Sequence, residues 1–428
     1  MGWLADVLLA SRAHDGSMAT LEPSRIAWGD YGRAGPHAAF AAARAEGPVQ
    51  EVVLPDGHPA WVILGFEEAK AALNDPRLSK DMHAALAAGP DIVDEGVPGP
   101  AFARHMLAVD PPDHTRLRHL VADRFTPRAV TALEPRVREV IADLVDELAA
   151  AGPAAAVDLM EGFAFPMPFT VVCELLGVPS ADRPALADSL DLILRPLGDP
   201  KALAAARAAS VVLADTFGAV IAGKDAEPGD DLISDLVAAR RRGELDDVEL
   251  QSTAFNLIVA GHETTTNLIG NMMLWLLRDP ERWRALQAQR DRIPATLEEL
   301  MRHDGPVHHA TFRFAAEPVA LGEVTIPAGA QVLVCLAGAN RDGSRYDEPD
   351  RFEIGRGGRS LAFGHGIHHC LGAALARMEG RLALDALLDR FPAMALAADP
   401  DDLRWDRGDG LVVRGLVELP VTLGPASP

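Results

Sequence analysis

The feature that most constrains the fold is a helical recurrence of apolar residues through most of the chain after Asp110. Clusters of Gly, Pro and Asp end each helical stretch. The pattern predicts helices over Thr115–Phe125, Pro127–Ala151, Leu159–Leu176, Ala181–Leu197, Pro200–Ala222 and Asp247–Leu277. Strand-like alternation is shorter, and it predicts a hairpin at Val49–Leu64 and strands at Ala310–Ala315, Val319–Ile326, Gln331–Leu336 and Val412–Leu423. The predicted fold class is therefore mainly α, with a small β region beside the helical body.

Length and composition restrict the organisation and the partners of the chain. The 428 residues contain no Ser/Gly-rich linker and no internal repeat, which predicts an N-terminal extension over 1–20 and a single domain over 21–428. The apolar start lacks a basic flank and is interrupted by Asp6 and Arg12, so we expect neither a signal peptide nor a membrane span. A net charge of −22 disfavours nucleic acid as a partner. Three cysteines without a pairing pattern favour a reducing, cytoplasmic location.

One cysteine lies in a glycine-rich segment immediately before an apolar, helix-like run. The segment is Phe363-Gly364-His365-Gly366-Ile367-His368-His369-Cys370-Leu371-Gly372, and the run extends from Ala373 to Phe391. Unpaired N–H groups and the positive end of the helix dipole stabilise negative charge at a helix start, so the pattern favours a Cys370 thiolate. The thiolate is the form that binds a metal or attacks an electrophile. The glycines allow the backbone to approach a flat ligand closely.

Two other interpretations of this segment are open from the residues alone. In the first, Cys370 is a buried free cysteine beside an ordinary helix start. In the second, His365, His368, His369 and Cys370 bind zinc, although adjacent residues of one short loop rarely direct all their ligand atoms at one tetrahedral centre. The sequence contains neither a C-x-x-C pair nor an H-E-x-x-H motif.

The spacing F-G-x-G-x-H-x-C-x-G resembles the haem-binding loop of the cytochrome P-450 family. This resemblance implies a triangular, helix-rich fold that binds haem b, iron protoporphyrin IX, with Cys370 as the thiolate ligand of the iron. It also implies that Phe363, Gly364, His368 and Gly372 contact the cofactor.

A polar cluster, Ala260-Gly261-His262-Glu263-Thr264-Thr265, interrupts the long apolar helix predicted over Asp247–Leu277. Polar side chains within a buried helix cost free energy unless they are used. Thr264 is placed to bond the carbonyl of Ala260, and Gly261 weakens the same turn, which predicts a local bulge. Resemblance to the family's A-G-x-[DE]-T stretch implies that Glu263 and Thr264 deliver protons during O2 activation, and that Ala260 and Gly261 contact haem. From the residues alone, a kinked core helix is an equal interpretation.

Another pattern matches a structural cluster of the same family. Glu299 and Arg302 lie three residues apart on one predicted helix face, and Pro349-Asp350-Arg351-Phe352 resembles the segment that adds a second arginine. The resemblance therefore implies a buried structural cluster of Glu299, Arg302 and Arg351 behind the cysteine loop. Taken alone, the E-x-x-R spacing is more typical of a surface ion pair.

Cationic residues form two further groups. His114 and Arg118 lie four residues apart, and the resemblance implies that both, together with Arg313 and His368, contact the haem propionates. Without the resemblance, each is more typical of a solvated basic face. A second group flanks the segments expected around the cysteine and predicts a docking surface for an acidic redox partner: Arg116, Arg124, Arg128, Arg356, Arg359 and Arg377. Ordinary surface arginines are an equal interpretation of this group.

The family resemblance implies a monooxygenase that inserts one oxygen atom of O2 into a C–H bond, or that epoxidises an alkene. Because the sequence contains no Rossmann glycine fingerprint, reducing electrons are expected from another protein. The resemblance implies that they come from NAD(P)H through a ferredoxin reductase and a ferredoxin. The alternative is a haem-thiolate enzyme that uses peroxide or catalyses a coupling or redox-neutral step. The intact Glu263-Thr264 pair argues against that alternative.

The segment Leu300–Gly329 resembles members of the family that tailor bacterial macrolides and related secondary metabolites. The resemblance predicts a bulky, mostly apolar small-molecule substrate, such as a polyketide or macrolide. It places the pocket at Val259, Ala260, Val307 and Ala310, with contributions from Ala84–Leu107, Asn256–Ala260 and Pro196–Asp199. The Pro- and Gly-punctuated stretch 88–100 suits a lid over a large ligand.

Overall fold

The structure is a computed structural model that describes residues 26–29, 35–54, 57–81, 104–194, 200–356, 358–407 and 411–426. Its α-helices are α1 (Pro36–Glu46), α2 (Phe66–Asn74), α3 (Asp113–Ala122), α4 (Pro127–Ala150), α5 (Pro166–Leu176), α6 (Arg183–Leu194), α7 (Pro200–Ala226), α8 (Leu232–Arg241), α9 (Asp247–Leu277), α10 (Pro280–Ala288), α11 (Ile293–Asp304), α12 (Leu336–Ala339) and α13 (Ala373–Arg390). Tighter or wider helical turns lie at Asp123–Phe125, Met160–Ala164, Arg290–Arg292 and Gly366–His368. Helices dominate the described chain, which confirms the predicted fold class.

The strands are short and belong to four small sheets. They are β1 (Ile26–Ala27), β2 (Val49–Val53), β3 (Pro59–Ile63), β4 (Leu78–Ser79), β5 (Ala156–Asp158), β6 (Arg313–Ala315), β7 (Val319–Leu321), β8 (Val324–Ile326), β9 (Gln331–Val334), β10 (Ala395–Leu396), β11 (Trp405–Arg407), β12 (Gly415–Leu416) and β13 (Pro420–Thr422). The largest sheet has the order β1-β2-β3-β9-β6-β4. The others are β10-β13-β5, β11-β12 and β7-β8.

Helix α9 runs through the centre of the helical body. It begins at a capping box in which the Glu249 N–H donates to Asp246 Oδ1 (2.8 Å) and the Asp246 N–H donates to Glu249 Oε2 (3.1 Å). Its first half packs into a hydrophobic cluster with α5, α6, α7 and α8. Its second half packs into another cluster with α4, α11 and α13. Because apolar side chains of neighbouring helices cover α9 on nearly every side, its sequence has no polar face.

Several predicted boundaries differ from the structure. The helix predicted over Leu159–Leu176 is divided into a wide turn at Met160–Ala164 and α5, because Pro166 has no N–H to continue the ladder and occupies the first turn of the new helix. The strand predicted over Val319–Ile326 is a hairpin, since Gly322 adopts a φ of 61° between β7 and β8. The predicted β2–β3 hairpin is confirmed as an antiparallel pair.

Some predictions lie wholly or partly outside the described residues. The proposed extension over 1–20 and the loop Pro196–Asp199 are among them, as is most of Ala84–Leu107. The division into an extension and a single domain stays a prediction. One described helix, Lys201–Ala226, is long and apolar enough to cross a membrane by length and composition. This helix packs against α6 and α8, and packed helices of globular proteins pass the same criterion.

Candidate active site

A cavity of about 380 Å³ lies between α9, the cysteine loop and the inner edge of the largest sheet. Its walls include the individual residues to which the sequence analysis gave a role in proton delivery, haem contact or the substrate pocket: Glu263, Thr264, His114, Arg118, Arg313, Phe363, Gly364, His368, Cys370, Gly372, Val259, Ala260, Gly261, Val307 and Ala310. These residues come from segments up to about 260 positions apart in sequence, so tertiary structure alone brings them together.

The cysteine loop is a compact turn held by backbone hydrogen bonds. The Cys370 N–H donates to the Phe363 carbonyl (2.9 Å), and the His369 N–H donates to the Gly366 carbonyl (3.0 Å). Gly366 has a φ of 75°, and a Cβ added there would lie 2.7 Å from the carbonyl oxygen of Leu73. Only glycine therefore fits where the loop contacts the end of α2. The loop ends at α13, and Cys370 lies three residues before it.

Cys370 is an exposed cysteine and lines the cavity. Burial raises the pKa of the thiol, while the Gly372 N–H, Arg118 and Arg377 act in the opposite direction. Desolvation thus opposes the thiolate that the sequence predicts at this helix start, whereas the nearby donors favour it. A positively charged ligand in the cavity, such as a metal, would favour the thiolate.

Helix α9 lines the cavity with the predicted proton-delivery residues. The Thr264 hydroxyl donates to the Ala260 carbonyl (2.7 Å), as predicted. The predicted bulge is wrong, because α9 continues through this turn as an unbroken α-helix. Gly261 serves helix packing instead, since a Cβ there would lie 3.1 Å from a methyl carbon of Val172 on α5.

Asn267 is a contributor that the sequence analysis missed. Its Nδ2 donates to Glu263 Oε1 (2.8 Å), and both side chains are buried. This bond orients the carboxylate beside the cavity. The sequence could have predicted this contact, because residues four positions apart, such as Glu263 and Asn267, lie on the same face of a helix.

The predicted propionate contacts gather at one end of the cavity. The rings of His114 and His368 lie 4.4 Å apart, and Arg118 Nη2 donates to the His369 carbonyl (2.8 Å). Burial lowers the pKa of His114, and burial followed by the charge of Lys80 lowers the pKa of His368 to about 2. Burial also lowers the pKa of Arg313 to about 10. A buried cationic site of this kind favours an anionic ligand.

These residues fit a haem. Cys370 lines the cavity, and the cationic end suits the two carboxylates of the cofactor. Both ring nitrogens of His114 and Nε2 of His368 are buried without a hydrogen-bond partner among the described residues. Buried polar atoms of this type normally have a partner. Haem carboxylates would supply those partners.

The structural cluster behind the loop differs from the prediction in one member. Glu299 and Arg302 form a buried pair, with Nε–Oε2 and Nη2–Oε1 distances of 2.7 and 2.9 Å. The second arginine is Arg356, whose Nε donates to Glu299 Oε1 (3.1 Å). The guanidinium of Arg351 instead pairs at the surface with Glu348 (2.8 Å), and only its carbonyl contacts Arg302. The chain turns after Arg351, so the Arg351 side chain points outward while the Arg356 side chain reaches the Glu299 carboxylate.

The predicted docking arginines are largely neutralised within the protein. Arg116 pairs with Glu249 and Asp113, and Arg124 pairs with Asp235 and Asp230. Arg356 is turned inward to Glu299.

Arg377 is neutralised as well. It pairs with Glu298 and lies 4.2 Å over the Phe363 ring. Arg128 and Arg359 are exposed. These ion pairs, most of them with residues of other elements, leave less positive surface than the sequence pattern predicts.

The zinc interpretation of the cysteine loop has no geometric support. Within the described part of the chain, the one group of three His, Cys or acidic ligand atoms within 4.8 Å of one another is His37, Asp304 and His308, away from the loop. Arg414 Nη1 lies 3.4 Å from the Asp304 carboxylate in that group. A cation already balances the carboxylate there, which disfavours a metal.

The comparisons with known proteins agree with this architecture. Residues 221–406 match the family model described as Cytochrome P450. Cytochrome P450 monooxygenase PikC of Streptomyces venezuelae is 44% identical over 391 residues, which cover 91% of each chain. 6-deoxyerythronolide B hydroxylase of Saccharopolyspora erythraea is 40% identical over 86% of this chain and 91% of its own.

The solved structure of the tirandamycin C-bound P450 monooxygenase TamI is also similar. It superimposes with a TM-score of 0.82 at 43% identity, covering 91% of this chain and 97% of that one. The fold and the cavity beside the cysteine loop are those of a cytochrome P450. The chain belongs to the cytochrome P450 family, and it is a P450 monooxygenase.

Proposed function

We propose that this monooxygenase hydroxylates a bulky, mostly apolar secondary metabolite of the polyketide or macrolide kind. The observation that carries the proposal is the division of one cavity into a cationic end and an apolar wall. Val259, Val307 and Ala310 belong to that wall, as do Ile193 and Leu107. An apolar wall selects apolar surface, because its burial supplies most of the binding free energy.

The names of two relatives support the same substrate class. One is a 6-deoxyerythronolide B hydroxylase, and the solved structure of TamI contains tirandamycin C. Small pocket residues such as Ala260 and Ala310 leave room for a large ligand in the cavity. Hydroxylation is proposed ahead of epoxidation.

Bound haem would supply the redox-active iron at which O2 is reduced. Cys370 would hold it by its sulfur, whose electron donation would tune the reactivity of the iron. Glu263 and Thr264 line the same cavity and would hold and move protons there. The Asn267 Nδ2 donor holds the Glu263 carboxylate in place, and the Ala260 carbonyl accepts from Thr264 Oγ1, which leaves that oxygen free to accept a hydrogen bond from the cavity.

Electrons are proposed to come from NAD(P)H through a ferredoxin reductase and a ferredoxin in the cytoplasm. Arg128 and Arg359 are the two exposed members of the predicted docking group. Reversing their charge should slow reduction of the haem by an acidic ferredoxin, and the effect should weaken as salt is added. Unchanged reduction rates at low salt would exclude these two residues from the docking surface.

The visible spectrum of the purified protein tests the core of this proposal. Dithionite reduction followed by carbon monoxide should give a strongly red-shifted Soret band, and Cys370→Ser should abolish that shift. Cys335→Ser is the matched control, because Cys335 is buried away from the cavity lining. A colourless protein, or a Soret band that does not respond to Cys370→Ser, would contradict haem-thiolate ligation.

A ligand panel tests the substrate class. Macrolides and linear polyketides should shift the ferric spin state, and NADH-driven turnover with a ferredoxin system should give a hydroxylated product. A response restricted to small phenols or fatty acids would contradict the substrate class. Stalled turnover with ferredoxin, combined with activity on peroxide, would favour the peroxide-using alternative.

A further inference from the structure

Lys80 lies beside the cationic end of the cavity, although no sequence motif marks it. It follows β4, which pairs antiparallel with β6 through Leu78 with Ala315 and Ser79 with Phe314. Continuing that register by one residue places Lys80 opposite Arg313. Like charges directly opposite one another on neighbouring strands repel. The sheet therefore brings two cations together at the edge of the cavity.

Burial increases the cost of this arrangement. Lys80 is 5% exposed and Arg313 is 3% exposed, and both line the cavity. The Lys80 ammonium contacts the Thr311 hydroxyl and the Thr311 carbonyl oxygen (3.2 Å). Within the described residues, no ion pair joins this ammonium to a carboxylate. A buried cation without an anionic partner carries a large desolvation cost.

The nearest acid does not serve as that partner. Asp110 acts on Lys80 and Arg313 through its charge, but its oxygens accept hydrogen bonds from the Lys80 backbone N–H (3.0 Å) and the Ser79 hydroxyl (2.5 Å). One carboxylate thus faces two basic side chains, and Arg118 adds a third at the same end of the cavity. Among the described residues, basic side chains therefore outnumber acidic partners at this end of the cavity, which favours binding of an anion there.

We propose that Lys80 is a haem-binding residue whose ammonium, together with Arg313, pairs with a carboxylate of the cofactor. The proposal rests on the haem-thiolate function. It adds a fifth residue to the four for which the family resemblance implies a contact with the haem propionates, namely His114, Arg118, Arg313 and His368. The Thr311 contacts orient the ammonium, and an ammonium has three N–H donors, so it can bond a carboxylate as well.

A purely structural Lys80 is the competing explanation. In that case its long stem fills space and its ammonium fixes Thr311. Such a role needs no positive charge next to Arg313, and a neutral side chain of similar length would avoid the repulsion. The two explanations differ in whether the charge of residue 80 affects the cofactor.

The test compares Lys80→Met, Lys80→Arg and the wild-type holoenzyme. Lys70→Met is the matched control, since Lys70 is exposed on α2. Haem transfer to excess apomyoglobin should be roughly ten- to a hundredfold faster for Lys80→Met, and it should stay near the wild-type rate for Lys80→Arg. The ferric/ferrous midpoint potential of Lys80→Met should also fall, because a cation near the iron favours the ferrous state, which carries one positive charge fewer. Lys70→Met should change neither quantity.

Two results would overturn the proposal for Lys80. Wild-type haem transfer and an unchanged midpoint potential in Lys80→Met would show that the charge does not act on the cofactor. Equal losses of haem affinity in Lys80→Met and Lys80→Arg, with an unchanged potential in both, would indicate a packing role. Failure of the proposed function is separate, since it would appear as a wild-type protein without a red-shifted carbon monoxide complex.

Discussion

Replacing Arg356 should destabilise the protein far more than replacing Arg351, although the sequence pattern points to Arg351. Arg356 Nε donates to Glu299, and its other nitrogens donate to the carbonyls of Asp347 (2.8 Å) and Arg351 (3.1 Å). Met retains an apolar stem of similar length but has no donors. Arg356→Met therefore removes one contact of a carboxylate that is almost completely buried, while Arg351→Met removes a surface pair with Glu348.

The expected magnitudes follow from exposure. The Glu299 side chain is 1% exposed, whereas the Arg351 and Glu348 side chains are 63% and 68% exposed. Losing a hydrogen bond to a buried charge costs about 1.5–3 kcal/mol. Losing an exposed pair costs about 1 kcal/mol at most. Glu299 keeps Arg302 and the Glu353 N–H (3.1 Å), so Arg356→Met should remain folded.

Urea unfolding of the holoenzyme, followed by circular dichroism and by loss of the Soret band, measures the difference. A double-mutant cycle with Glu299→Gln isolates the contact, because the cost of Arg356→Met should shrink once the carboxylate is neutral. Arg351→Met should lower the midpoint by the same small amount in either background. The reasoning is refuted if Arg351→Met lowers the midpoint as much as Arg356→Met, or if the cost of Arg356→Met is unchanged by Glu299→Gln.

Further predictions concern proton delivery, pH and the start of α9. Thr264→Ala should lower product formation by roughly 10² or more while NADH consumption continues, measured as the ratio of product to NADH. Burial raises the pKa of Glu379 from 4.5 to about 8. The folded protein therefore favours the protonated carboxyl, whose contribution to stability is complete below pH 4.5 and is lost as pH rises to about 8. The urea midpoint of the wild type should fall over that pH range, and the fall should be smaller in Glu379→Gln. Asp246→Ala removes the capping box and should cost about 1 kcal/mol of unfolding free energy by urea titration.

The periodicity of apolar residues and the spacing of motifs were sufficient to predict the main helices and to identify most residues that line the cavity. The range predicted for the long central helix, Asp247–Leu277, agrees with α9, because apolar residues throughout and an acidic cap specify it locally. Short strands were predicted less well. Their positions depend on pairing partners far away in sequence, and β4 has only two residues.

The errors and omissions at the site share this cause. Lys80 was missed because only the register of β4 with β6 places it opposite Arg313. Arg356 was missed because a turn decides which of two nearby arginines points inward. The prediction of a favoured Cys370 thiolate considered the helix start but not desolvation, which depends on the complete cavity. Local sequence specifies elements, whereas charge balance in a buried site depends on every element around it.

The distribution of charge links cofactor binding to the fold. The chain carries a net charge of −22, yet the buried end of its cavity collects Lys80, Arg118 and Arg313. These cations come from the β4 edge, α3 and β6, and the loop containing His368 closes the same end. A dianionic cofactor placed there would relieve repulsion among three elements at once. Because the cations are confined to that end, the wall beneath α9 can remain apolar, and the same cavity can bind a charged cofactor beside an apolar substrate.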